Sequence, residues 1–152
     1  MSDQEFILQA IEQAKESVKQ GGFPAGTIIV KNGEVIARGI SIGNILHDPT
    51  SHGEVSAIRE ASKINVSDLS GATIYSSMEP CMMCLAASMW AGVSRIVFAC
   101  GKEKVSPEYY GGKYKTEDLN EAFLKKIEVM HLSELENDSF QVVSDWEKSL
   151  SK

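Results

Sequence analysis

Apolar positions at helical spacing open the chain. Phe6, Ile7, Ala10, Ile11, Ala14 and Val18 share one side of an amphipathic helix, and Gly21-Gly22 ends the run. The run Thr27 to Val30 predicts a buried strand. Asn32-Gly33 is a two-residue type I′ hairpin signal, and Glu34 to Arg38 returns antiparallel. Gly39 to Ser51 reads as a loop closed by Asp48-Pro49-Thr50. A helix is predicted from His52 to about Lys63, with Val55, Ile58 and Ala61 inward. Gly71 to Ser77 reads as a third strand. Cys81 to about Ala91 reads as a helix stopped by Gly92, and Arg95 to Ala99 as a fourth strand. Beyond Cys100 the pattern thins. Lys102 to Lys115 is a loop rich in Gly, Tyr and Lys. Thr116 to Lys126 predicts a helix with Leu119, Ala122 and Phe123 inside, and Ile127 to Met130 a short fifth strand. A last helix carries Phe140, Val143, Trp146 and Leu150 on one side. This alternation predicts a three-layer α/β/α sandwich around a five-stranded mixed sheet, mostly parallel, with the hairpin strand reversed. No repeat or linker interrupts it, and residues 1–152 are expected to form one domain.

Composition narrows the class. Apolar residues are 43% and charged residues 24%, a globular balance. No apolar run reaches the ~20 residues of a membrane span, and Met1-Ser2-Asp3-Gln4-Glu5 has no basic or apolar leader pattern. Fifteen basic against twenty-one acidic residues give a net charge of −6, which argues against a phosphate backbone as the main partner. A reducing cytoplasm is the expected location, where three cysteines are better read as ligands or catalysts than as a disulfide framework.

Two short segments concentrate the chemistry. His52-Gly53-Glu54 opens one predicted helix, and Pro80-Cys81-Met82-Met83-Cys84 opens the next. Cys81 and Cys84, three apart, share a face of a helical first turn, where the positive end of the helix dipole favours thiolates. One imidazole and two thiolates are three protein ligands of a tetrahedral zinc, leaving the fourth position to water as in catalytic sites. Glu54, two positions from His52, is placed to serve that water as a proton carrier. A lone Cys-x-x-Cys is also compatible with a redox pair; a four-cysteine zinc knuckle is not, since no second pair exists.

The His-x-Glu and Pro-Cys-x-x-Cys pair is the signature of zinc-dependent base deaminases. With Phe23-Pro24-Ala25-Gly26, Val30-Lys31-Asn32-Gly33, Asp48-Pro49-Thr50-Ser51 and Glu79, the chain from about Phe23 to Cys100 resembles the cytidine/deoxycytidylate deaminase superfamily. It is most similar to the branch of guanine deaminases, yeast-type cytosine deaminases and tRNA adenosine deaminases. The resemblance implies zinc on His52, Cys81 and Cys84, proton transfer by Glu54, backbone contacts to the substrate amine near Glu79, and a homodimer. Where the family has an asparagine that contacts the base, this chain has Ser41; Asn44 is the nearest substitute. The family's Pro-Cys-Pro-Met-Cys is Pro-Cys-Met-Met-Cys here, and its usual Ala after Gly26 is Thr27.

The implied reaction is hydrolytic deamination with release of ammonia. Tyr109-Tyr110-Gly111-Gly112-Lys113-Tyr114 and the Trp146 helix resemble the guanine deaminase branch, whose C-terminal part closes over the pocket, and aromatic rings suit a flat base. The expected substrate is therefore a free nucleobase, guanine first. Cytosine, a nucleoside or another amino-heterocycle comes next, and tRNA adenosine, a nucleic-acid substrate, is disfavoured by the acidic charge. Ser41, Asn44, Glu79, Tyr110 and Trp146 are the candidate substrate contacts. Other tempting residues take plainer readings: His47 and His131 on the surface, Cys100 buried at a strand end, Trp90 in the core or a dimer interface, and Met82, Met83 and Met89 in packing.

Overall fold

The computed structural model describes residues 1–151. Helix α1 (Asp3–Lys19) starts at a capping box, in which Ser2 and Glu5 satisfy each other's backbone N–H groups. It lies on one face of a sheet formed by β1 (Phe23–Lys31), β2 (Glu34–Ser41), β3 (Thr73–Met78), β4 (Arg95–Cys100) and β5 (Glu128–His131). The strand order is β2-β1-β3-β4-β5. Strands β3, β4 and β5 are parallel, and β1 runs antiparallel to both its neighbours. The single reversed strand is the one the hairpin reading requires. Its turn residues Asn32 and Gly33 have φ of 54° and 78°, the left-handed pair a type I′ turn needs.

Side-chain alternation along the strands divides the core. Ile28, Val30, Tyr75, Val97 and Ala99 meet Phe6, Ile7, Ala10 and Ile11 of α1. Ile29, Ile74 and Ile96 face the other way, onto Ala57, Ala61 and Leu85. Those residues belong to α3 (Gly53–Lys63) and α4 (Met82–Ala91), with α5 (Thr116–Glu121) beyond them; α6 (Glu136–Leu150) returns to the α1 side. The layers are thus α/β/α, as the element order predicts.

Several boundaries differ from the sequence expectation for local reasons. Strand β1 begins at Phe23 because Pro24 and Ala25 sit in a bulge in its pairing with β2. The loop expected from Gly39 contains the end of β2 and a single helical turn, α2 (Gly43–Leu46). On α3 the buried stripe is Ala57 and Ala61, with Val55 and Ile58 only half-buried. The cause is close approach: a Cβ on Gly39 of β2 would stand 2.1 Å from the Gly53 carbonyl, so only small residues fit between helix and sheet. Helix α5 stops at Glu121 because the Asn120 amide bonds both the N–H and the carbonyl of Ile127, turning the chain and leaving Ala122 exposed. Trp90 is 83% exposed and so lies outside the core, and Leu150 is exposed at the end of α6. His131 is at the surface as expected but is engaged there, stacked on Phe98 and held between Ala99 O and Glu136. Among the described residues no helix is long and apolar enough to cross a membrane.

Candidate active site

The two chemistry-bearing segments meet because β2 and β3 run parallel on either side of β1 and each leads from the same end of the sheet to a helix, β2 through α2 to α3 and β3 to α4. His52 is the residue before α3, and Cys81 is the residue before α4; both have extended backbones and neither uses its side chain as a cap. Their side chains are therefore free to converge. Cys81 Sγ lies 3.5 Å and Cys84 Sγ 3.6 Å from His52 Nδ1. All three donor atoms lie within 4.8 Å of one another.

This set fits zinc. Ligand distances of 2.0–2.1 Å for nitrogen and about 2.3 Å for sulfur place N and S about 3.6 Å apart on a tetrahedron. The charges point the same way. Hydrogen bonding from Cys84, and then from His52, holds the Cys81 thiol down at about 4, against the opposing effect of burial. Cys84 is pushed up by that same bond to the Cys81 sulfur and by its own burial. The Cys81 thiolate also raises the His52 imidazole, against its burial. The surroundings favour a thiolate at Cys81 and resist a second one at Cys84, an opposition that a divalent cation would reverse. His52, Cys81 and Cys84 would hold the ion.

Glu54 is buried in the first turn of α3 beside this cluster. Burial pushes its carboxyl above the usual range, the Cys81 thiolate adds to this, and hydrogen bonds from its own backbone, Cys84 and Ser76 oppose it. A carboxyl so placed holds a proton more readily than an exposed one, which suits a proton carrier.

A cavity of about 530 Å³ opens onto His52, Glu54 and Cys81. It is large enough for a heterocycle of one or two rings. Each predicted substrate contact borders it. Ser41 is buried at the end of β2; its backbone N–H and carbonyl bond the Ser17 hydroxyl, and its own hydroxyl takes no part in these bonds. Asn44 borders the cavity from α2, but its amide donates to Gly21 O at 2.9 Å. The Glu79 carboxylate is turned to Lys102 N and the Thr116 hydroxyl. The Tyr110 hydroxyl, on a buried ring, donates to Glu79 O at 2.8 Å. Trp146 meets Phe23 edge-on at 5.2 Å, and Phe23 meets Tyr109 at 5.0 Å. Tyr109 is tied to α6 by a bond to Glu147. His47, His131, Trp90 and Cys100 do not border the cavity.

Sequence reasoning missed two members. Phe23 was legible only as part of a motif, not as a wall. Tyr114 accepts a hydrogen bond from Met82 N, an otherwise open donor at the start of the helix bearing Cys81 and Cys84. Tyr114 falls in the aromatic segment that the sequence singles out, but no spacing rule links position 114 to position 82.

Comparisons with known proteins agree with this geometry. Residues 1–100 match the model of the cytidine and deoxycytidylate deaminase zinc-binding region. A guanine deaminase of Bacillus subtilis is 41% identical over 101 residues, 65% of this chain and 65% of that protein. A tRNA-specific adenosine deaminase of Aquifex aeolicus is 35% identical over 105 residues, 68% of this chain and 70% of that protein. The matches thus span about two thirds of the length of these relatives. The solved guanine deaminase from Bacillus subtilis superposes with a TM-score of 0.68 at 30% identity, covering 95% of this chain and 95% of that one.

Proposed function

The chain belongs to the cytidine and deoxycytidylate deaminase family, and from that premise we propose that it removes the exocyclic amine of a free nucleobase, guanine first, as ammonia. The observation that carries this reading is the lining of the cavity. Among the described residues no lysine or arginine borders it, and the carboxylates in its lining are Glu54 and Glu79, beside His52 and Cys81. A phosphate entering it would find no compensating cation beside two carboxylates. An uncharged flat ring finds Phe23, Tyr109 and Trp146. The likeness to the Bacillus subtilis guanine deaminase structure extends over 95% of the chain and so supports the same reading.

When bound, zinc supplies a Lewis acid that makes a water molecule acidic near neutral pH. Glu54 does the proton work: it accepts the proton that water gives up and hands it to the ring nitrogen beside the reacting carbon, then takes the remaining proton from the oxygen now attached to that carbon and gives it to the amine, which leaves as ammonia. Its raised affinity for a proton, set by burial, suits a group that must both take and return one. Glu79 O accepts the Tyr110 hydroxyl and keeps a second lone pair with which to hold the amine. Ser41 offers one hydroxyl to the far edge of the base, with less discrimination than an amide's two ends. The homodimer implied by the family resemblance belongs to the same proposal, with the uncharged α4, where Met82 and Trp90 stand exposed, as the face to examine by sedimentation.

The test is ammonia release from guanine, cytosine, adenosine, cytidine, aminopterins and aminotriazines, alongside inosine formation in a tRNA anticodon loop. Guanine is expected to react fastest. Conversion of tRNA adenosine with no reaction on any free base would overturn the proposal.

A further inference from the structure

The Glu79 carboxylate takes no part in the mechanism above, yet it is the point where one loop is fastened at both ends. Lys102 N donates to its Oε1 at 3.0 Å, and the buried Thr116 donates its hydroxyl to Oε2. Between these ends the loop makes two more bonds to the same short segment. Tyr110 donates to Glu79 O at 2.8 Å, and Tyr114 accepts from Met82 N at 2.9 Å. All four bonds therefore fall on the residues that flank Pro80-Cys81.

Apolar packing is concentrated in the middle of this loop. Val105 and Tyr109 rest against Met78, Cys100 and Val143. Its two ends are undercut by a second cavity of about 950 Å³, bordered by Lys102, Lys104, Lys115 and Thr116, with Glu79 on its wall. Where side chains meet empty space, dispersion and apolar burial contribute little, and position is left to the hydrogen bonds. Glu79 supplies the acceptors for both ends.

The two sides of this attachment have different tasks. On one side is Cys81, with Met82 beginning the helix whose first turn holds Cys84. On the other are Tyr109 and Tyr110, which border the active-site cavity. We propose that Glu79 is a positioning residue whose carboxylate couples metal retention at Cys81 to closure of the aromatic wall at Tyr109 and Tyr110. The inference rests on the reading of His52, Cys81 and Cys84 as zinc ligands, not on the identity of the base. Because linkage is reciprocal, loss of the ion loosens the loop, and loosening the loop releases the ion.

The test uses the full chain loaded with zinc. Two quantities are read without substrate: the rate of zinc transfer to a competing chelator, and trypsin cleavage after Lys113 and Lys115 followed by mass spectrometry. Glu79→Ala is expected to speed both about tenfold, within the range known for groups that support metal ligands indirectly. Thr116→Val removes one anchor at nearly constant shape and should speed both in the same direction. Glu79→Gln keeps an acceptor for Lys102 N and a donor for Thr116, so it should restore both rates to within about twofold of the parent. Stripping zinc from the parent chain should itself speed cleavage. A Thr116→Val chain that keeps zinc and loop protection at parental levels overturns the proposal even if Glu79→Ala fails to fold. A parent chain that takes up no zinc defeats the ligand assignment as well. Failure to deaminate guanine, with the rates behaving as described, leaves the coupling standing and defeats only the choice of base.

Discussion

Residues 23–100 hold the metal-ligand cluster, and residues 101–150 build much of the aromatic wall around the substrate cavity. The first region works by local rules. His52 and Cys81 each precede a helix fed by the sheet, so a short stretch of sequence sets the place and direction of every ligand. The second region works by remote contacts. Tyr110 reaches Glu79, Tyr114 reaches Met82, and Trp146 reaches Phe23 across the cavity. The difference separates chemistry from selection. The locally specified half carries what the family shares, and the family match ends at residue 100. Under the proposed reading, the remotely specified half shapes what enters.

Substitutions should divide along that line. The largest effect is expected for Cys84→Ser in the first region: zinc falls from about one per chain to near none, measured by metal analysis after gel filtration, and ammonia release falls to background. Next is Glu54→Ala, which should lower turnover by roughly 10²–10⁴ while zinc stays bound. A Glu54→Ala chain that deaminates normally would remove Glu54 from the mechanism. In the second region, Trp146→Ala should raise KM for guanine about tenfold through lost aromatic contact, with zinc content unchanged. An unchanged KM would mean that α6 does not wall the occupied pocket.

The smallest effect on turnover is expected away from both regions, at Asp3. Its carboxylate bonds Arg95 at 2.9 and 2.8 Å and accepts from Tyr75 at 2.6 Å, fastening α1 to the sheet. Arg95 holds the Asp3 carboxyl below its usual range, with the Tyr75 hydrogen bond helping against burial. A group whose pKa is lowered by folding stabilises the fold fully above its unfolded value, near 4, and loses that contribution as pH falls through its folded value. Asp3→Asn should therefore cost about 1–2 kcal/mol in urea unfolding at pH 7. The gap between variant and parent should close on acidification below about pH 4. A gap that widens in acid would contradict the assignment.

The same division explains what could be read from the chain. The hairpin at Asn32-Gly33 and the reversed strand follow from periodicity and turn chemistry, which act over a few residues, while the meeting of His52 with Cys81 is legible from the paired motifs and the family they resemble. Helix α5 was overestimated because the Asn120 amide captures Ile127, a side-chain event that apolar spacing does not register. Of the stripe read on α3, Ala61 is buried and Ile58 packs at the edge of the core, but Ala57 takes the central place because Gly39 lets the helix lie so close to β2 that only alanines fit against the sheet. Trp90 reads as core or dimer interface from its helical position; its exposure of 83% excludes the core and leaves the interface reading to a partner that helical spacing does not reveal. The four bonds of the 101–116 loop to Glu79 and Met82 had no local signature at all.

The measurement that bears most directly on the central claim is ammonia release by the zinc-loaded chain offered guanine or guanosine 5′-monophosphate at equal concentration. A cavity lined, among the described residues, by no lysine or arginine should turn over the free base and leave the phosphorylated compound essentially untouched. Faster release from the monophosphate, or none from guanine with zinc fully bound, would contradict the account.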